Sequence, residues 1–446
     1  MNLVEKPCAW PRGVAKAGVL PMTTLLAAFS IGTATNADAA ELRSFHAQPC
    51  FVVATKQVEV AVTQTGGHMA PVTFFRDSAA PVRPYYVSPW QDERPRTEPG
   101  PWNPLGPNYR PWLDQPQVKM PAPVLVTLRG DFFCLPFGGN SEEVAGEKHP
   151  PHGETAGDPW RLVGTKTAGD VTTLTLGIET KVRTGRVTKE LSLVEGQNVV
   201  YSRHLIEGFA GRVPLGHHAT LAMPESDGAV RIATSAFRFG MTCPSLFSDP
   251  KQREYQALLP GAKWTDLAKV PAAWKGAPDA DLTRLPGRYG HADLIQLANE
   301  PWEKTGGPAW TTATFADGGY VWFALKDPGV LRTTVFWIEN HGRHGHPWNG
   351  RNNCLGLEDV TAFFADGLAA STRDNLLTQA GVETALALSA AQPTAVNYIQ
   401  GVVKIPAGFE NVRSLEFAPG AVTFLSTTGK RVTAPVRHEF LKTGRL

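Results

Sequence analysis

Hydrophobic and polar residues alternate with period two along most of this chain. Val58-Glu59-Val60-Ala61-Val62-Thr63 sets its valines on one face, and Gly66-Gly67 turns the chain towards Val72-Thr73-Phe74-Phe75. Leu174 to Ile178 repeats the pattern. Val187 to Leu193 follows a turn at Thr184-Gly185-Arg186, and Val199 to Ile206 follows another at Glu195-Gly196-Gln197-Asn198. Further runs of strand character lie at Val124 to Thr127, Tyr320 to Leu325, Thr333 to Ile338, Ile399 to Ile405, Ala421 to Leu425 and Val432 to Val436. Short turns between such runs predict an antiparallel meander rather than βαβ units. The clearest helical window runs from Val360 to about Ala380, with Gly381 placed to end it. A break is expected near Ser371-Thr372, where Thr372 can cap a second helix.

Two stretches fit neither template. Pro89 to Pro123 holds ten prolines in 35 residues, interleaved with Trp90, Trp102, Tyr109 and Trp112. It has too few free N–H groups for a central strand. Leu246 to Gly307 is similarly mixed and carries Trp264, Trp274 and Trp302. Long ordered loops of this kind either line a binding cleft or cover a sheet face.

Composition narrows the possible partners. With 43 Lys+Arg against 41 Asp+Glu, the net charge is +2. No basic excess favours nucleic acid or an anionic membrane surface. Lys6, Arg12 and Lys16 precede a mostly small or apolar run from Val19 to Ala34, and Ala37-Asp38-Ala39 suits an A-x-A cleavage site. Residues 1–40 are therefore expected to be a signal peptide. Residues 41–446 would then form one domain, periplasmic or secreted, with no membrane association after cleavage. No other stretch reaches the roughly 20 apolar residues that a spanning helix needs. Cys50, Cys134, Cys243 and Cys354 remain after the leader. They permit up to two disulfides or four buried thiols, and none lies in a C-x-x-C zinc pattern.

Three segments carry acid–base chemistry. Glu358, in Leu355-Gly356-Leu357-Glu358-Asp359, is either a cap for the helix expected after it or a general base. His217 and His218 sit in Gly216-His217-His218-Ala219-Thr220-Leu221, and on a strand only one of them can face a given cleft. His152 follows Pro150-Pro151, and Arg129 ends the Val124 to Thr127 run; both offer donors to hydroxyl groups. A histidine and a carboxylate suffice to open a sugar hemiacetal, without a metal or redox cofactor. His341, His344 and His346 lie within six residues, but their glycine-rich setting favours a loop over a metal site. No convincing G-x-S-x-G, P-loop or G-x-G-x-x-G pattern is present, which argues against a serine-hydrolase elbow or nucleotide binding.

Taken in order, Arg129-Gly130 with Leu135-Pro136-Phe137, His152-Gly153 with Trp160, His218, and Gly356-Leu357-Glu358 resemble the galactose-mutarotase-like (aldose 1-epimerase) superfamily. Gly66 to Val72 and Tyr85 to Trp90 resemble the opening of its exported members. The resemblance implies an all-β fold, a large antiparallel β-supersandwich with a few short helices and long loops. It also implies interconversion of sugar anomers, with His218 as general acid, Glu358 as general base, and Arg129, His152, Trp160 and His217 as substrate-binding residues. The implied partner is a monosaccharide or glycan end, with no cofactor or metal. A non-catalytic glycan-binding sandwich, or a polysaccharide lyase or hydrolase on the same fold, are the alternatives. Asp359 stands where the family usually has proline.

Overall fold

The computed structural model describes residues 42–92 and 122–446. The expected signal peptide and most of the proline-rich stretch after Pro89 lie outside them. Two large antiparallel sheets dominate. In one, the meander from Arg161–Ala168 through Val171–Thr180 and Gly185–Val194 to Val199–Glu207 continues into Thr394–Lys404, Tyr320–Lys326 and Ala309–Phe315. The other places Phe237–Thr242, His291–Asn299, Thr333–Asn340 and Asn353–Thr361 side by side, with Leu215–His217 and Ala219–Ala222 both pairing with the last of these.

The alternation read from the sequence becomes layering here. One core draws on both sheets: Val187, Leu191 and Val200 from the first, Ile295, Phe336, Leu355 and Leu357 from the second. A second core, with Leu294, Val335, Trp337, Cys354 and Val360, covers the opposite face of the second sheet. A third joins the first sheet to the small sheet of Val412–Ala418, Ala421–Ser426 and Arg431–Pro435. Side chains of successive strand residues point to opposite faces. Leu355 and Leu357 therefore fix where their neighbours go, and Glu358 must share a face with Cys354 and Val360.

Several expectations change. Glu358 is not a helix cap; it lies inside the strand Asn353–Thr361, every residue of which is buried. Within the window from Val360 to Ala380, helix is confined to Leu368–Thr372 and Leu376–Gln379, and the second is capped by Asn375 rather than Thr372. The Asn375 side chain accepts from the Leu377 and Thr378 N–H groups and completes a capping box. Val124–Thr127 is a single helical turn, not a strand. The Trp90 indole donates to the Leu125 carbonyl, and Val124 and Leu128 are buried, so packing overrides the β-branched propensity. The mixed stretch after Leu246 conceals the strand His291–Asn299, paired on both sides. Eight of its nine residues are buried, which erases the alternation that would mark it. All four cysteines among the described residues are free and buried. No helix among them is long and apolar enough to cross a membrane, which says nothing of a β-barrel.

Candidate active site

Strand register brings the key pair together. Leu215 pairs with Thr361 and Gly216 with Val360; pairing resumes at Ala219 with Leu357. One-for-one counting across the gap sets His218 opposite Glu358 and His217 opposite Asp359. Directly opposed residues share a face with their Cβ atoms about 5 Å apart. His218 Nε2 accordingly lies 3.3 Å from Glu358 Oε1. Gly356 makes room for this carboxylate, since a Cβ there would stand 2.6 Å from Oε1.

The surroundings are apolar and aromatic. The His218 ring stacks on Phe132 at 4.5 Å and meets His152 and Trp337 edge-on at 5.0 and 5.8 Å. Its Nδ1 lies 3.1 Å from the Thr220 hydroxyl. His152 Nδ1 faces Cys134 Sγ at 3.5 Å. Burial pushes the Glu358 carboxyl well above the usual carboxylate range. It pulls His218 well below the usual imidazole value, helped by His152. Burial alone lowers His152 to about 4. All three groups are thus driven towards their neutral forms.

They line a cavity of about 340 Å³ whose other walls include Val124, Leu128, Phe132, Phe247, Trp337, Arg343 and Trp348. Sequence reasoning did not single out the last four as site residues. Trp337 had a signal, since it falls in step with Val335 on the face of Glu358. Its buried indole N–H has no hydrogen-bond partner among the described residues.

The remaining residues named from the sequence lie elsewhere. Arg129 is fully buried, and its guanidinium donates to the carbonyls of Phe45 and His46 and to Gln91 Oε1. It ties the first strands to the sandwich and is not among the cavity-lining residues. Trp160 sits in the core, its indole donating to the Thr155 carbonyl. His217 occupies the opposite face from His218, with Nδ1 2.9 Å from Asp131 Oδ2 and its ring stacked on Tyr398 at 4.2 Å. Of His341, His344 and His346, the first is engaged by other groups: its Nε2 lies 3.1 Å from Glu225 and its Nδ1 3.0 Å from the Gly350 carbonyl. No group of three or more His, Cys, Asp or Glu side chains among the described residues is arranged to hold a metal ion.

Neither a family model nor a curated protein sequence matches this chain. Solved structures do. A "putative aldose 1-epimerase" from Klebsiella pneumoniae superposes with a TM-score of 0.52 at 8% identity, covering 80% of each chain. A galactose mutarotase-like protein from Clostridium acetobutylicum gives 0.49 at 10% identity, over 82% of this chain and 98% of the other. At 8% identity the likeness to the Klebsiella pneumoniae structure concerns architecture alone, and it agrees with the two-sheet arrangement described above. The chain has the β-supersandwich fold of the galactose-mutarotase-like (aldose 1-epimerase) superfamily.

Proposed function

We propose that this protein interconverts the anomers of a sugar by acid–base catalysis at His218 and Glu358. The observation that carries the reading is their 3.3 Å contact at a cavity walled mostly by aromatic and aliphatic side chains. Opening a hemiacetal ring needs one proton delivered to the ring oxygen and one removed from the anomeric hydroxyl. The neutral pair meets both needs. Burial favours the protonated carboxyl of Glu358, which would give its proton to the ring oxygen while His218 Nε2 takes the hydroxyl proton. This reverses the roles that the family resemblance implies.

The C1–O bond to the ring then breaks, leaving an aldehyde, a carboxylate and an imidazolium. After rotation about C1–C2 the ring oxygen attacks the other face of the carbonyl. His218 returns its proton to the new anomeric hydroxyl, and Glu358 recovers its own. The ion pair formed midway is held by direct contact in a low-dielectric setting, where opposite charges attract strongly. Trp337 and Trp348 offer flat faces for the sugar, and the Trp337 N–H and Arg343 offer donors to its hydroxyls. The leader-like residues 1–40 further suggest that this chemistry takes place outside the cytoplasm.

Polarimetry or exchange NMR on a panel of freshly dissolved aldoses tests the reading. Glu358→Gln and His218→Ala should each lower catalysed exchange by about 10²–10⁴, the usual range for one acid–base group, with circular dichroism unchanged. Folded wild-type protein that accelerates no sugar of the panel would overturn it.

A further inference from the structure

Outside the cavity, three large aromatic side chains stand exposed in one place. Tyr255, Trp274 and Tyr289 are 49, 43 and 65% exposed. Trp274 and Tyr255 meet the His291 ring at 5.6 and 6.4 Å, and Tyr289 stacks on His341 at 4.8 Å. His291 and His341 are joined by a parallel bridge. The Arg288 guanidinium covers Trp274 at 4.6 Å, and Glu225 bonds His341. Each ring is therefore propped by another ring or by a cation.

A cluster of this size on a surface marks a contact site rather than scattered apolar exposure. Its chemistry points to one kind of occupant. Trp and Tyr present a flat apolar face with a polar edge, which matches a pyranose with its C–H face and rim of hydroxyls. Single-stranded nucleic acid would need a basic track beside the rings. Here the arginine is already engaged with Trp274, and Glu225 adds the opposite charge.

A short loop links the cluster to the cavity wall. His341 opens a loop whose next residues include Arg343, a cavity-lining side chain, with the two Cα atoms at most about 7.6 Å apart. Gly342 lies against the backbone of His291, where a Cβ would stand 2.3 Å from the carbonyl carbon. Glu339 Oε1 accepts from the Gly342 and Arg343 N–H groups at 2.9 Å each. Glu254 Oε1 accepts from those of His344 and Gly345 at 2.8 and 3.2 Å, and Glu254 directly precedes Tyr255. Two buried carboxylates thus fix the loop between cavity and rings.

We propose that Tyr255, Trp274 and Tyr289 form an outer subsite that stacks the sugar residues of a neutral oligosaccharide whose end enters the cavity. This rests on the carbohydrate reading above and extends it from a free monosaccharide to a glycan end. Calorimetry on the purified full chain tests it. The probes are β-1,4-gluco-, α-1,4-gluco-, β-1,4-xylo- and chito-oligosaccharides of one to six residues. At least one series should gain about tenfold in affinity with length, the worth of one or two stacking contacts. Trp274→Ala and Tyr289→Ala should each remove most of that gain, and Trp274→Phe should restore part of it. Circular dichroism checks that the variants fold.

No gain with length in any series overturns the proposal, as does a gain that survives both alanine variants. Concentration-dependent self-association abolished by Tyr289→Ala, without a length gain, would assign the rings to protein contact instead. The two readings fail separately. A length gain without anomer exchange leaves the subsite standing and removes catalysis, and exchange without a length gain does the reverse.

Discussion

Asp359 offers the sharpest quantitative test of the structure. It points between the sheets, where its Oδ1 lies 2.6 Å from Lys326 Nζ, both side chains being almost fully buried. The Tyr398 hydroxyl donates to Oδ2 at 2.8 Å and the Thr334 hydroxyl to Oδ1 at 2.8 Å. Replacing Asp359 by Asn keeps an acceptor for the hydroxyls but leaves the ammonium without its counter-charge. Removing one partner of a buried pair costs about 3–5 kcal/mol. With a urea slope of at least about 3 kcal/mol per M, the unfolding midpoint should fall by about 1 M. The double variant Lys326→Met/Asp359→Asn removes both charges yet keeps an acceptor for the Tyr398 and Thr334 hydroxyls. It should therefore be more stable than Asp359→Asn alone.

The pH dependence gives a second reading on the same variant. Burial lowers the Lys326 pKa, and Asp359 opposes that shift. In Asp359→Asn the unfolded state binds the extra proton over the range between the folded and unfolded lysine pKa values. Stability should thus recover as pH rises towards the unfolded value. Tryptophan fluorescence during urea titration at several pH values measures both effects. A loss under about 1 kcal/mol for Asp359→Asn, or a double variant weaker than the single, would refute the reasoning.

Three further outcomes follow from the same geometry. Glu358 has a folded pKa raised above its unfolded value, so its contribution is full below the unfolded pKa and is lost as pH rises towards the folded one. Glu358→Gln should consequently melt higher than wild type at neutral pH while losing activity, and an unchanged or lower Tm would contradict the burial argument. Thr220→Val removes the hydroxyl beside His218 Nδ1; kcat should drop about tenfold with little change in KM, and the nitrogen NMR signals of His218 should show an altered tautomer balance. Arg129→Met deletes donors to three carbonyls and to Gln91, so urea titration should register a loss of about 3 kcal/mol or more, with KM for sugars in the surviving folded fraction unmoved.

What the sequence discloses depends on how each segment is buried. Val187 to Leu193 and Val199 to Ile206 show their strands because polar residues interrupt the apolar ones. His291–Asn299 hides because nearly every position is buried, and a uniformly buried strand carries no period. Glu358 was ambiguous for a related reason: local pattern cannot separate a carboxylate at a helix start from one inside a strand when both follow an apolar step. Register with Ala219 to Ala222, a contact over more than 130 residues, decides it. Arg129 shows the opposite limit. An arginine reads as a ligand clamp in a motif, yet its partners here include backbone carbonyls supplied from residues 45 and 46, which no local pattern records.

The opposition of His217–His218 to Glu358–Asp359 bears on how such a site can change over time. Each strand carries neighbouring residues with contrary assignments, one towards the cavity and one towards the inter-sheet core. Deleting a single residue between Leu357 and Val360 would turn Asp359 into the cavity or carry Glu358 against Lys326, and both tasks would fail together. Point substitutions at either face are independent, whereas length changes are tolerable only in twos. Lineages with this chemistry should therefore vary freely in their loops while keeping the spacing of these two strands fixed in parity.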